Sequence, residues 1–594
     1  MRGTKAILAV AVLTVIIGMT STANAQGVKF VGVGSSALFT GSGVGTFNDV
    51  CSQRTGSDCR HYTIGGKNNA DGQNFAQAVD SRNVGIPVEG GNLWVVWDNN
   101  TSPVSIWAYL TVDSIVGNRC FFASPRCSLQ LDSGVLTTAG QNRIASVLFF
   151  NAQTGLNQAD EASLPSGVLA AVQTSFTAGL TDIRPEDAKF ETNRILKVYA
   201  ASNLSGLGYG VASANCPAAT SLIGCQIKGT WGGAATPVQF NISGKDPFTA
   251  QTVKASKTIS IGAAPIVFLY NNTGPGLSGG GFTNLTFTTA TKVFNGTLGL
   301  ASDIGGTGNN PLSVLLREPL SGTMTTTEFT TFRVNLAPKF LPGKGSQEKG
   351  IDLSTGACPG LGCPNPLNLA SANGGVRLRG IGTGQIISGN AGVGGLKNIA
   401  DSVGYAFFSF GNVAPIGGAG GVGRYVTLDG VDPISDSYTD GVLPTCTAPC
   451  PVAPGTSYPH LRDGSYRAWS ILRLVTDASG ANFTNAQAIV TATQKEVNGT
   501  VPDFVPAVAT PDGDPGMPYY RSHFKQSGVA GTPNNGNGSG VEKGGDVGGC
   551  PFKIATQPNQ VCFRLNGTKA SATEPAFCNY PLNVATACSL APNH

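Results

Sequence analysis

The segment from Pro311 to Thr323 reads PLSVLLREPLSGT and joins an apolar run to the start of a helix. Pro311 to Leu316 has the length and composition of a buried strand, and Thr325 to Arg333 is predicted to begin a helix. Ser321-Gly322-Thr323 at this junction brings two hydroxyls and several unpaired backbone N–H groups to one point, where the helix end also suits an oxyanion. Arg317, at the end of the strand, can reach that point with a two-pronged guanidinium.

A simpler interpretation fits the same residues. Serine and threonine are the usual helix N-caps, so Ser321 can be an ordinary cap beside a surface arginine. The local pattern leaves both interpretations open.

Other apolar runs in the chain predict further strands between helical stretches. Helices are predicted after Asp71 and near Pro185, where a proline and acidic residues follow a turn. Strands mixed with helices predict an α/β protein. The predicted strands are Val28 to Gly34, Trp94 to Trp97, Ile106 to Val112, Ser146 to Phe150, Ile259 to Tyr270, Val403 to Phe410 and Ala468 to Val475.

Composition limits the classes of function. The chain has 594 residues, of which 41% are hydrophobic. It can therefore build a large core and is not wholly disordered. A charged fraction of 12% and a formal net charge of +4 argue against binding to nucleic acid through phosphate neutralisation. With four histidines, a multi-histidine metal enzyme is not expected, and we predict neither a metal nor a cofactor.

Residues 1–25 resemble a secretory signal peptide. Arg2 and Lys5 precede an apolar run from Ala6 to Met19, and Ala23-Asn24-Ala25 forms a small-x-small cleavage site. A membrane-spanning helix needs about 20 apolar residues, so this run is too short to be one. We therefore expect a periplasmic or extracellular protein that does not span a membrane after signal cleavage.

The cysteine spacing agrees with that location. An even number of cysteines in an exported chain favours disulfide bonds, and pairing between nearest neighbours is the simplest arrangement. A zinc site is disfavoured because the chain lacks a Cys-x-x-Cys repeat and a histidine at ligand spacing. The neighbouring pairs are Cys51/Cys59, Cys120/Cys127, Cys216/Cys225, Cys358/Cys363, Cys446/Cys450, Cys550/Cys562 and Cys578/Cys588.

Several segments occur in the order found in a known family. The run from Arg317 to Thr323 resembles the R-x-x-x-S-G-T segment of the phosphate-binding proteins of ABC phosphate transporters, which belong to the type II periplasmic binding proteins. The other similar segments are Val31 to Ser36, Gly179 to Asp182, Ile266 to Asn271, Lys292 to Gly296 and Val403 to Tyr405.

This resemblance implies a two-lobed α/β fold with mixed sheets and β-rich, disulfide-stapled insertions. It implies that phosphate or a related oxyanion is bound between the lobes and delivered to an ABC transporter membrane complex. The implied ligand-binding residues are Ser36, Thr181, Asp182, Arg317, Ser321, Gly322 and Thr323. The implied divisions are a signal peptide (1–25), lobe I with insertions (26–264), lobe II (265–440), a return to lobe I (441–530), and a Gly/Asn-rich linker with a Cys-rich appendage (531–594).

The sequence departs from the family pattern at two places, and one residue assignment has an alternative. The family has an aspartate two residues after the arginine, where this chain has Pro319, with Glu318 as the nearest substitute. The region 65–69, which includes Lys67, replaces a Gly-Ser-Gly turn. Asp98 is an alternative to Asp182 as the carboxylate that accepts the phosphate proton; we prefer Asp182 because Thr181 precedes it as the family's serine does.

Three classes of function are compatible with these features. A solute-binding protein without enzymatic activity is the main prediction. The alternative is an extracellular structural or surface-interaction protein that uses the same scaffold without a ligand. A hydrolase is disfavoured because Gly276 to Gly280, which matches the G-x-S-x-G elbow, is flanked by Gly274, Pro275 and a further glycine, as is typical of a loop.

Overall fold

A computed structural model describes residues 27–65, 75–81, 87–189, 239–317, 320–332, 347, 368–380, 382–389, 395–418, 420–445, 457–517, 520–521 and 547–548. The predicted signal peptide, Lys67, Glu318, Pro319 and ten of the fourteen cysteines lie outside these residues.

The described part of the chain is a mixed α/β structure. Its strands are β1 (Gly27–Gly34), β2 (Cys59–Ile64), β3 (Ala76–Val79), β4 (Pro87–Gly90), β5 (Leu93–Asp98), β6 (Ser105–Thr111), β7 (Ser128–Leu131), β8 (Phe150–Asn151), β9 (Leu156–Asn157), β10 (Ala178–Thr181), β11 (Ser256–Asn271), β12 (Asn284–Leu285), β13 (Ser313–Arg317), β14 (Asn368–Ala370), β15 (Val376–Gly380), β16 (Ser402–Phe407), β17 (Gly423–Leu428), β18 (Trp469–Asp477), β19 (Val505–Pro506), β20 (Tyr520–Arg521) and β21 (Val547–Gly548).

The helices are mostly short and follow strands. They are α1 (Phe39–Gly45), α2 (Ser114–Phe122), α3 (Ser166–Val172), α4 (Phe287–Phe294), α5 (Gly322–Thr327), α6 (Gly382–Ser388), α7 (Phe410–Val413), α8 (Pro459–Arg462) and α9 (Ala481–Glu496). A π-helical segment, Glu328–Phe332, continues α5, and residues 185–189 are also helical.

One large mixed sheet organises these elements. Its main path runs β14-β15-β13-β16-β11-β18-β10-β1-β6-β5-β2. On one side β10, β1 and β6 are parallel neighbours, and on the other β15, β13 and β16 are parallel neighbours. The 16-residue strand β11 joins the two sides, since its first part pairs antiparallel with β18 and its last part with β16 and β17.

In the part of the sheet formed by β10, β1 and β6, hydrophobic side chains pack against both faces. Along β1, Phe30 packs into one hydrophobic cluster while Val31 and Val33 pack into a second. Along β6, Trp107 and Tyr109 join the first cluster, and the intervening residues join the second. Because side chains alternate across a strand, these nearly continuous apolar runs indicate strands buried on both faces.

Most of the predicted elements are confirmed. The runs at 28–34, 94–97, 106–112, 259–270, 311–316, 403–410 and 468–475 contain strands, and helices begin at Gly322 and Pro185. Two predictions are wrong. The region after Asp71 contributes the strand Ala76–Val79 where it is described, and the predicted strand Ser146 to Phe150 is a 3-10 turn at Ser146–Leu148, with β8 beginning only at Phe150. Gly276 to Gly280 is a turn, as predicted.

Two of the predicted cysteine pairs lie in the described part of the chain, and one of them forms a disulfide bond. Cys51 and Cys59 form the predicted disulfide bond. Cys120 and Cys127 are both free and buried, so the predicted pairing is wrong for them.

Candidate functional site

Five strand ends contribute to one buried polar cluster. Strands β1, β6, β10, β13 and β15 end at residues 34, 111, 181, 317 and 380. The cluster consists of Arg317, the last residue of β13, and of side chains that follow these five strand ends. The carboxyl ends of neighbouring parallel strands meet at one edge of a sheet, which is where open α/β sheets place ligands. We call the side chains of Ser35, Ser36, Asp113, Ser114, Asp182, Arg317, Thr323 and Thr383 the polar cluster.

The turn after β1 places the Ser35 hydroxyl against Asp182. Gly34 has a φ of 140°, and a Cβ atom there would lie 1.9 Å from the carbonyl oxygen of Leu180. Only glycine fits this position, because it has no Cβ and tolerates a positive φ. The Ser35 backbone N–H donates to that same oxygen at 2.9 Å, and the Ser35 Oγ donates to Asp182 Oδ1. The Tyr109 hydroxyl donates to the Ser35 carbonyl, which further fixes the turn.

The Asp182 carboxylate accepts hydrogen bonds from residues on both sides of the sheet. Besides the bond from Ser35, its Oδ2 accepts from Thr323 Oγ1 at 3.2 Å, and its backbone N–H donates to Ser114 Oγ at 3.2 Å. The residue is 3% exposed. Burial raises the pKa of the Asp182 carboxyl above its ordinary value, against the effect of the Ser35 hydroxyl and of the Arg317 charge.

Arg317 is buried, not on the surface. It is 3% exposed, and its Nη2 donates to Asp113 Oδ1 at 2.7 Å. Its Nη1 donates to Thr323 Oγ1 at 3.1 Å and reaches Thr383 Oγ1 at 3.5 Å. The guanidinium therefore connects two hydroxyls to a carboxylate, which is the kind of planar, multiple contact that arginine makes.

Asp113 is the main residue that the sequence analysis missed. It follows β6 and pairs with Arg317, while its backbone N–H donates to the Glu89 carboxylate oxygens at 3.1 and 3.2 Å. The family pattern has such an aspartate at the position of Pro319 instead. The available signal was its position directly after a predicted strand and before a serine, Ser114, that begins α2.

Ser36 and Thr383 close the polar cluster on one side. Their hydroxyl oxygens are 3.3 Å apart, although Ser36 follows β1 and Thr383 lies in the first turn of α6. Thr383, like Ser35 and Ser114, was not among the predicted residues. These hydroxyls come together only through contacts between distant parts of the chain.

The other predicted residues, Ser321, Thr181 and Gly322, are close in sequence to residues of the polar cluster but make other contacts. Ser321 is the N-cap of α5, and its Oγ accepts from the backbone N–H groups of Thr323 and Met324 at 3.1 and 3.3 Å. Thr181 Oγ1 accepts from Asn118 Nδ2 at 3.1 Å and donates to the Ile183 carbonyl at 2.9 Å. At Gly322, a Cβ atom would lie 2.7 Å from Ser114 Oγ, so a glycine permits close packing there.

Asp98 has a different environment. Its carboxylate accepts from Arg54 Nε at 2.8 Å and from the Asp58 backbone N–H at 3.0 Å, next to the Cys51–Cys59 disulfide bond. Among the described residues, Cys51, Cys59 and Asp98 are the group of possible metal ligands that lie close together. Both sulfurs belong to the disulfide, so they do not supply thiolates for a metal.

Comparisons with known proteins give a weak structural likeness. The sequence matches no protein-family model, and no curated protein matches it. An ABC-type phosphate transport receptor from Vibrio cholerae is 12% identical, with 43% of this chain and 75% of that chain covered and a TM-score of 0.23. PstS from Borrelia burgdorferi is 13% identical, with 41% and 70% covered and a TM-score of 0.21. A phosphate-binding protein from Stenotrophomonas maltophilia is 15% identical, with 40% and 61% covered and a TM-score of 0.23.

Within the described ranges, the helices are all too short or too polar to cross a membrane.

Proposed function

We propose that this chain is a solute-binding protein that takes up a small protonated oxyanion, monohydrogen phosphate, in the polar cluster. The observation that carries the proposal is the buried connection from Asp182 through the Thr323 hydroxyl to the Arg317 guanidinium. It brings together an acceptor for a ligand proton, a neutral donor and a positive charge.

Hydroxyl groups and the guanidinium supply the donors for the anion. Ser35 and Thr323 donate to Asp182, and Arg317 donates to Asp113 and to Thr323. An anion oxygen is an equivalent acceptor, so the same donors can turn to the ligand with little change in position. A buried anion must have its oxygens paired, because an unpaired buried charge is costly.

Asp182 supplies specificity in this proposal. A carboxylate repels a fully deprotonated anion but accepts a hydrogen bond from one that retains a proton. Monohydrogen phosphate has such a proton at neutral pH, whereas sulfate does not. A site that requires a hydrogen bond rejects a ligand that cannot make it by roughly 10⁴-fold or more.

We also propose that the large sheet divides the protein into two lobes. The two sides of the sheet, joined by β11, would form the two lobes, with boundaries at 26–264, 265–440 and 441–530. Binding between strand ends from both sides would let lobe closure be read by a transport partner, an ABC transporter membrane complex. This role fits the signal-like residues 1–25 and a periplasmic or extracellular location, and it requires no cofactor or enzymatic step.

Isothermal titration calorimetry of the purified protein with phosphate and with sulfate tests the proposal. We expect saturable heat with phosphate and none with sulfate at the same concentrations. No heat and no thermal shift with either anion would reject anion binding and favour the structural or surface-interaction role.

A further inference from the structure

A cavity of about 690 Å³ adjoins the polar cluster. Both sides of the sheet contribute to its walls: Thr40 and Asn92 on one side, Gln385 and Asn412 on the other. Its volume lies within the roughly 300–1,000 Å³ of sites for drug-sized ligands, and it greatly exceeds what one inorganic anion fills.

Three residues connect the cavity to the polar cluster. Ser36 and Thr383 line the cavity, and the contact between their hydroxyls lies at its boundary with the cluster. Thr383 also lies 3.5 Å from Arg317 Nη1. Glu89 lines the cavity as well and accepts from the backbone N–H of Asp113, the partner of Arg317. A ligand held by Arg317 therefore has the cavity next to it.

The walls favour a neutral, hydroxylated group. Among the described residues, the charged side chains that line the cavity are Glu89 and Arg143, whose opposite charges offset each other. The remaining polar lining comes from amide and hydroxyl side chains, which pair with hydroxyl groups as donors or acceptors. Phe39 and Phe410 add apolar surface suited to the C–H face of a sugar ring.

We infer that the preferred ligand is a phosphate monoester of a sugar-sized polyhydroxy compound, with the phosphate in the polar cluster and the sugar in the cavity. This inference rests on the proposed function, because it assigns the cluster to the phosphate group. It adds the substrate class: a sugar phosphate in place of free phosphate. A monoester in its monoanionic form still carries the proton that Asp182 accepts.

Two glycines offer a matched test of the cavity. Gly384 lies in α6 and lines the cavity, and a Cβ atom there meets nothing within 4 Å. Gly384→Phe would place a large side chain in the space assigned to the sugar. Gly167→Phe is the control, because Gly167 lies in α3, outside the cavity lining, and its Cβ position is also open within 4 Å.

The experiment is calorimetric titration with inorganic phosphate and glucose 6-phosphate near pH 6, where about half of the ester carries its proton. We expect glucose 6-phosphate to bind about tenfold more tightly than phosphate to the wild-type protein and to Gly167→Phe, the gain expected from one or two added hydrogen bonds. Gly384→Phe should lose this gain while its affinity for phosphate stays near wild type, which also shows that it is folded.

The outcomes separate the inference from the proposed function. Phosphate binding without a preference for the ester would overturn the inference and leave the proposed function standing. A preference that survives in Gly384→Phe would also overturn it, because the sugar would then lie elsewhere. If neither compound binds, both are wrong.

Discussion

Arg317 and Asp113 are separated by 204 residues in the chain, yet Arg317 Nη2 lies 2.7 Å from Asp113 Oδ1 in the interior. Both side chains are nearly inaccessible, at 3% and 2% exposed. Removing one member of a buried ion pair leaves the other charge in the interior, whereas removing both can be nearly neutral. This pair therefore allows stability and anion binding to be separated.

Arg317→Met should lower the free energy of unfolding by about 3–5 kcal/mol, because the Asp113 carboxylate loses its guanidinium. The double variant Arg317→Met/Asp113→Asn should recover much of that stability and still fail to bind phosphate. Urea denaturation and calorimetry measure the two effects. Arg60→Met, which breaks the more exposed pairs with Asp58 and Glu161, should cost at most about 1 kcal/mol and leave binding intact. Phosphate binding by the double variant would remove Arg317 from the proposed site.

Asp182→Asn should abolish discrimination between phosphate and sulfate. The amide neither repels sulfate as a carboxylate does nor requires a ligand proton, so the expected preference of roughly 10⁴-fold should fall close to unity. Competition titrations with the two anions measure the ratio. Asp98→Asn is the comparison, because Asp98 was the alternative carboxylate. A ratio that changes in Asp98→Asn and not in Asp182→Asn would reverse the assignment.

Ser321 and Thr323 should respond differently to loss of their hydroxyls. Ser321→Ala removes the N-cap of α5 and should cost about 1 kcal/mol of stability, with phosphate affinity little changed. Thr323→Val keeps the side-chain shape but removes a donor to the anion, so affinity should fall about 10–100-fold. Denaturation curves and calorimetry on both variants check this. The assignment of Ser321 to capping is wrong if Ser321→Ala loses affinity as strongly as Thr323→Val.

Asp503 should make the protein less stable as the pH rises. Burial raises its pKa to about 7, against the hydrogen bonds from the Phe410 N–H and the Ser409 hydroxyl. The folded state holds this proton more tightly than the unfolded state, so its contribution is fully present below the ordinary pKa of 3.8 and disappears as the pH approaches 7. The loss is on the order of 4 kcal/mol.

Asp503→Asn should remove this part of the pH dependence, because the amide can occupy the same hydrogen-bonding position without a charge. Denaturation midpoints of the wild type and the variant, measured from about pH 4 to pH 7, give the difference. Glu496, whose pKa burial raises to about 8, contributes in the same direction and remains in both proteins, so it cancels. Parallel curves for the two proteins would contradict the role given to Asp503.

The strands of the large sheet were predictable because they are long apolar runs. The two segments whose secondary structure was predicted wrongly are short. Ala76–Val79 is only four residues long. In Ser146–Phe150 the side chains of Leu148 and Phe149 are buried, although the backbone at Ser146–Leu148 forms a 3-10 turn. A short apolar run does not distinguish these cases, since burial and backbone shape are decided by the rest of the fold.

The candidate site was predictable where its residues lie close together within one segment of the chain. Arg317 and Thr323 lie six residues apart, and a strand followed by a helix brings them together. Asp113 and Thr383 could not be found in this way, because only the pairing of distant strands brings them close. The resemblance pointed to Ser36, but Ser35, directly after the turn at Gly34 where φ is 140°, is the residue whose hydroxyl meets Asp182.

The contact between Ser36 and Thr383, residues 347 positions apart, has a consequence for biosynthesis. A nascent chain that has not yet emerged beyond Thr383 lacks part of the polar cluster, and the sheet is not continuous until β18, which ends at Asp477, has been added between β10 and β11. The protein is thus expected to stay empty throughout most of its synthesis and to gain affinity only as the final strands are incorporated.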